Sequence, residues 1–331
     1  MRFRYFYFLI VAGFSYLFNP YSYSENEWKK WEDVLEKLPG WDGSQYYVEE
    51  VSGGLTNKNY KLSFRDFAYF LREGSGDATV LGLSSQRDYE NTRFAAALGI
   101  APSIILYHPE YRLMASSFIP SIPFKWNDSN CSKVIQQLKQ FHQSKILLPA
   151  RFDPFKIIED YGSKAKERGH YWDELFWEPL LQKIQEVLPA SPLCPCHLDL
   201  HQFNFLDDGD KIWIVDWEYA GMATVLFDLS TWVSGDYLSE DEMWLLLHCY
   251  YSNPSFSNFA ELYLNAILCD IRWGLWSLIQ KSISPVAFDY QAYADAFFSH
   301  AKEKASAPLF NTCLERLTRM LEVKAQATNG Q

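Results

Sequence analysis

Apolar residues recur at helical spacing across residues 27–38, where Trp28, Trp31, Val34, Leu35 and Leu38 form one stripe that Pro39-Gly40 ends. The period then falls to two. Residues 46–50, 59–63 and 68–72 read as strands, with Gly53-Gly54 between the first two. Residues 84–98 predict a helix, capped by Ser84 or Ser85 and ended by Gly99, with Pro102 blocking continuation. Strands over 104–107 and 112–116 follow, around the turn His108-Pro109-Glu110. After a proline-stiffened stretch at 118–123 the pattern turns helical, at 131–143, 171–188, 239–250, 261–282, 289–305 and 311–327. Ser239 and Glu242 make a capping box.

Two short β-prone segments interrupt the helices, and polar chemistry is concentrated there. The chain reads His197-Leu198-Asp199-Leu200-His201-Gln202-Phe203-Asn204, then a turn at Asp207-Asp208-Gly209-Asp210, then an apolar run ending at Asp216. Asp-Gly is a hairpin signal, so strands at 204–206 and 211–215 are expected to return Asp216 beside Asn204. Phosphoryl transfer needs such a set: a carboxylate to orient and deprotonate a hydroxyl, and an amide oxygen with a second carboxylate to hold magnesium. Asp199 is the candidate base, and Asn204 and Asp216 are the candidate metal ligands, their hard oxygens suiting Mg²⁺. Cys194, Cys196, His197 and His201 also offer zinc donors, but their spacing lacks the separated pairs of structural zinc sites.

A β-rich front and a helical back joined at this strip predict an α+β, bilobal fold. The expected parts are a hydrophobic leader or anchor-like segment (1–24), an N-terminal nucleotide-binding lobe (25–118) and a C-terminal catalytic and substrate-binding lobe (119–331). The 331 residues, 48% of them hydrophobic and 17% aromatic, suffice to fill such cores. A net charge of −11 argues against a general nucleic-acid binder and suits a cationic small molecule. Six scattered cysteines read as free thiols of a reducing compartment.

His197-x-Asp199-x-x-x-x-Asn204 followed by Val215-Asp216-Trp217-Glu218-Tyr219 resembles the protein-kinase-like small-molecule phosphotransferases, which include aminoglycoside phosphotransferases, thiamine kinase and choline/ethanolamine kinases. Gly53-Gly54-Leu55-Thr56-Asn57-Lys58-Asn59-Tyr60 is similar to the nucleotide loop of the choline kinase branch, although Gly-Gly alone also reads as a plain hairpin. Arg272-Trp273-Gly274-Leu275-Trp276 with Phe288-Asp289-Tyr290 and Tyr293 looks like that branch's C-terminal helices.

The resemblance implies ATP and Mg²⁺ as cofactors, with Gly53, Gly54, Thr56 and Asn57 in the nucleotide loop. It implies a strand cation, Arg72, paired with a helix carboxylate, Glu90, against the phosphates; Arg87 is an alternative partner, and plain surface charge is the competing reading. His197 is expected to brace the loop. Tyr219, Trp273, Trp276, Tyr290 and Tyr293 would cage a quaternary ammonium, although Trp273 and Trp276, three apart, also read as core. The branch's acidic residue on the helix after Asp216 is altered here, with Asp236 in its place.

The implied reaction is phosphorylation of choline or a related amino alcohol. Ethanolamine, thiamine or an aminoglycoside as acceptor is the alternative, as is a pseudokinase or a membrane-tethered scaffold. Arg2 and Arg4 precede the apolar run 5–18, which is shorter than the ~20 residues of a membrane helix. A cytoplasmic ATP user fits this run as a weakly membrane-associating segment or as one packed on the fold; a secretory signal fits less well.

Overall fold

The computed structural model describes residues 25–51, 54–74 and 76–329. The leader 1–24, Gly53 and the Trp28 side chain lie outside the described residues. Two compact units divide the chain: residues up to Ile122 with Trp213–Glu218, and Pro123–Ile212 with Tyr219–Gln331.

The first unit is a five-stranded antiparallel sheet with a helix on its apolar face. Helix α1 (Glu25–Leu35) leads to β1 (Tyr47–Val51), β2 (Lys58–Phe64) and β3 (Phe67–Glu73). Helix α2 (Ser85–Ala97), β4 (Ile104–His108) and β5 (Leu113–Ser117) follow, giving the order β1-β2-β3-β5-β4. Alternation decides which side chains go inward. Tyr60, Leu62 and Phe64 of β2 and Tyr69 and Leu71 of β3 pack with Trp31, Val34 and Leu35 of α1. Each of these fully buried side chains is worth roughly 2 kcal/mol.

The opposite face is unusual because its buried residues are polar. Arg72, next to Leu71, points the other way and is 7% exposed. Helix α2 buries Asp88, Asn91 and Thr92 along with Ala95. Its cap is as expected, with the Ser84 hydroxyl accepting the Arg87 N–H at 3.2 Å.

The second unit is mainly helical: α3 (Asp128–His142), α4 (Pro154–Glu167), α5 (Glu174–Val187), then β6 (Cys194–Cys196) and β7 (Phe205–Asp207). Strand β8 (Ile212–Ile214) carries the chain into the segment grouped with the first unit. After it come β9 (Gly221–Ala223), α6 (Val225–Gly235), α7 (Glu240–Tyr250), α8 (Phe256–Ile283), α9 (Tyr290–Ser306) and α10 (Pro308–Asn329). Helix α8 is buried on all sides from Phe259 to Gln280 and packs against α4, α6, α9 and α10. A side chain at Gly274 would come within 2.7 Å of the Phe298 ring, so glycine lets α9 approach. Both halves of the Ser239–Glu242 capping box are present.

Helix α4 did not stand out in the sequence, since Lys and Glu are spread along it and Gly162 interrupts it. Its start signals were nevertheless there: Asp153 accepts the N–H of Phe155 at 3.1 Å, and Pro154 occupies the first turn. Among the described residues no helix is long and apolar enough to cross a membrane.

Candidate active site

Strand β6 pairs antiparallel with β9, setting Cys196 opposite Gly221, and releases the chain into the loop that carries Asp199. Leu198 takes a left-handed conformation (φ 67°), which a leucine adopts only when its surroundings impose it. Helix α6 imposes it. The Asp228 carboxylate accepts the Leu198 N–H at 2.7 Å and the His197 N–H at 3.2 Å. Thr231 Oγ1 accepts the Leu200 N–H at 3.0 Å. On the other side, Arg272 Nη1 donates to the Leu198 carbonyl at 2.9 Å.

His197 and Asp199 sit on this braced turn, and Asn204 follows just beyond it. His197 is fully buried and its Nδ1 accepts the Asp199 N–H at 3.2 Å, a bracing contact. The Asp199 side chain is 15% exposed. Asn204 closes a 3₁₀ turn, Gln202–Asn204, and its Nδ2 donates to the Asp199 carbonyl at 2.8 Å. The next reversal is as expected: Asp208 N–H donates to the Lys211 carbonyl at 3.0 Å, with Gly209 at φ 97°. Asp236 holds the loop, both its oxygens accepting the Gln202 N–H (3.1 and 3.0 Å) and Oδ2 also the Trp232 indole N–H (2.8 Å). These contacts tie the C-terminal end of α6 to the loop.

In the first unit, three carboxylates surround Arg72. Its Nη2 lies 2.6 Å from Asp216 Oδ1 and 3.0 Å from Glu218 Oε2, and its Nε 3.1 Å from Asp88 Oδ2. The helix partner is therefore Asp88, correcting the expected Glu90. Two helical positions are about 200° apart, so Glu90 faces away, and it accepts from Gln86 at 2.7 Å. Arg87, the alternative, donates to the Gly82 carbonyl.

Asn57, between β1 and β2, donates to Glu218 Oε2 at 2.7 Å, and Asn91 to the Trp217 carbonyl at 3.1 Å. Asp216 is also left-handed (φ 68°). A Cβ at Gly54 would lie 2.5 Å from the Asn57 carbonyl oxygen, which explains a glycine there; Thr56 is half-buried beside it. Asn57, Arg72, Ser85, Asp88, Met114 and Glu218 line one small cleft of the first unit.

Burial opposes the charge on Arg72, but the attraction of Asp216, Asp88 and Glu218 outweighs it and holds the guanidinium well above its usual pKa. Burial raises Glu218, with Arg72 opposing and Asp216 and Asp88 adding to the rise. Asp88 is raised in the same way, by burial first.

The aromatic candidates touch in sequence. Ring centroids are 5.4 Å apart for Tyr219–Trp273, 5.7 Å for Trp273–Trp276 and 6.2 Å for Trp276–Tyr290. Trp276 Nε1 donates to the Tyr219 hydroxyl at 2.7 Å. Tyr293 joins through Phe288, at 5.4 Å from it. A cation already lies among these rings. The Arg272 guanidinium is 4.2 Å from the Trp273 ring centre and 4.9 Å from that of Tyr219.

The profile of the phosphotransferase enzyme family matches residues 48–252. The chain belongs to that family. Relatives include the LicA protein of Haemophilus influenzae, 24% identical over 72% of this chain and 75% of its own. The human choline/ethanolamine kinase is 24% identical over 76% and 78%. Among solved structures, a choline/ethanolamine kinase family protein from Mesorhizobium loti superposes with a TM-score of 0.72 at 24% identity, covering 86% of this chain and 98% of its own. The choline kinase LicA of Streptococcus pneumoniae reaches 0.70 at 22% identity, covering 86% and 100%. The fold of this phosphotransferase is thus protein-kinase-like, with a five-stranded antiparallel N-terminal sheet and a helical C-terminal region.

In the second unit the Asn204 amide nitrogen is engaged by the Asp199 carbonyl, and its oxygen is a hard donor of the kind Mg²⁺ takes; in the first unit Asp216 carries a partly exposed carboxylate of the same chemical kind. Sequence reasoning missed Asp88, Glu218, Asp228 and Arg272. Two of the four carried a signal: Glu218 sits inside the Asp216 motif, and Arg272 is a charge in an apolar helix.

Proposed function

We propose that this phosphotransferase is an ATP- and Mg²⁺-dependent kinase acting on the hydroxyl of choline or a related amino alcohol. Residues 25–118 bind the nucleotide through Gly53, Gly54, Thr56, Asn57 and Arg72, and residues 119–331 hold the acceptor. Asp199 orients the acceptor hydroxyl and takes its proton as the oxygen attacks the γ-phosphate. Asn204 and Asp216 hold Mg²⁺, which would neutralise charge on the phosphate oxygens. The enzyme works in the cytoplasm, where ATP is kept.

The observation that carries the acceptor class is the row of touching rings from Tyr219 to Tyr290, since ring faces attract ammonium groups that ion pairs hold poorly. The names of the relatives support the same class. The test is ATP consumption with choline, ethanolamine, thiamine and kanamycin in turn, with and without Mg²⁺. Turnover with choline or ethanolamine only when Mg²⁺ is present is expected. Turnover with kanamycin or thiamine alone, or with none, would overturn the assignment.

A further inference from the structure

Behind the Asp199 loop, on the far side of Asp228, lies a second cluster of chemistry that phosphoryl transfer does not use. Cys194 and Cys196 are two apart on β6, so both side chains leave the same face of the strand. Their sulfurs are 3.6 Å apart. His142, at the end of α3, comes to the same place: one ring nitrogen and the two sulfurs all lie within 4.8 Å of one another. His142 and Cys196 are buried, whereas Cys194 is half-exposed and opens the cluster to solvent.

We propose that His142, Cys194 and Cys196 form a binding site for a thiophilic divalent cation such as Zn²⁺. Two thiolates on one tetrahedral zinc, each at ~2.3 Å, stand roughly 3.8 Å apart, close to the spacing already present. His142 has a carboxylate against one ring nitrogen, as metal-bound imidazoles commonly do. Asp228 Oδ2 lies 2.8 Å from Nε2, which puts the ring proton there and leaves the lone pair on Nδ1, now 2.9 Å from the Tyr250 hydroxyl. Coordination exchanges that hydrogen bond for a metal bond, and each thiol releases its proton to solvent as its sulfur–metal bond forms. Three protein ligands leave a fourth position for water. His197 and His201, which the sequence suggested beside the two cysteines, are not in this group: their Nδ1 atoms accept the N–H groups of Asp199 at 3.2 Å and Phe203 at 3.3 Å.

The probe is Co²⁺ added to the reduced full chain, read by its thiolate-to-metal charge-transfer absorption and by metal content after gel filtration. One equivalent with a charge-transfer band is expected for the wild type. Cys194→Ser, altering the half-exposed ligand, should lose the band and weaken retention at least tenfold. Cys249→Ser, outside the cluster, should keep both. Circular dichroism reports whether each variant is folded; should Cys194→Ser unfold, competition by Zn²⁺ for the band in the wild type and its loss in His142→Gln carry the test. A wild type without the band, or a folded Cys194→Ser that retains it, would overturn the site.

Discussion

The Asp228 carboxylate accepts the backbone N–H of Leu198, one residue before Asp199, at 2.7 Å. Its other oxygen takes the N–H of His197 and faces the His142 ring. With this carboxylate on its N–H and Arg272 on its carbonyl, the left-handed Leu198 holds Asp199 in place. Asp228→Asn keeps one accepting oxygen but turns the other into an N–H donor that meets donors, at a cost of about 1–3 kcal/mol in stability. As a positioning residue, Asp228 should affect kcat and leave KM for the nucleotide nearly unchanged. We expect about a 100-fold fall in kcat, the scale of a small misplacement of a reacting group. Steady-state kinetics of the folded variant checks this, and an equal change in both parameters would contradict it.

Arg72 is the counter-ion of three carboxylates, so its removal tests them together. Arg72→Met should destabilise the chain by about 3–5 kcal/mol, because it leaves buried charges uncompensated. Adding Asp88→Asn to that variant should restore part of the loss. Chemical denaturation of the two variants decides; no recovery in the double variant would mean that Asp88 does not share the charge.

Trp276 reaches the Tyr219 hydroxyl through its indole N–H, a bond that phenylalanine cannot make. Trp276→Phe should raise KM for the amino alcohol by about threefold to tenfold and leave KM for ATP unchanged, as expected for one hydrogen bond of about 1 kcal/mol. Parallel titrations of the two substrates measure it. A rise confined to ATP would move the rings out of the acceptor site.

Glu261, on α8, is pushed up to about 7 by burial, against a small opposing pull from Lys324. A carboxyl raised in the fold favours its neutral form, so its stabilising share is complete below the unfolded value near 4.5 and is lost as pH rises toward 7. The loss should be on the order of 3 kcal/mol. Glu261→Gln should remove it, flattening the fall in stability between pH 5 and pH 7 that urea denaturation of the wild type shows. Equal slopes in the two proteins would refute the effect.

The strands and most helices were legible because their apolar periods are local. Tyr60, Leu62 and Phe64 alternate into the core, and the helix stripe of Trp31, Val34 and Leu35 covers them. The loop with Asp199 and Asn204 was legible from spacing alone. Its supports were not, because they depend on contacts between residues far apart in sequence: Asp228 is 30 residues beyond Leu198, and Arg272 is 74. Choosing Glu90 over Asp88 was an error of helical phase, since composition offers two acids on α2 and only the packed structure shows which one faces Arg72.

In the proposed reaction Asp199 handles the proton of the attacking hydroxyl. The most direct test of this role is choline-dependent ADP release with Mg²⁺, comparing the wild type with Asp199→Asn, whose shape is kept and whose basicity is gone. A kcat lower by about 100- to 10,000-fold is expected, with melting temperature and nucleotide affinity preserved. A variant that turns over choline at the wild-type rate would contradict it.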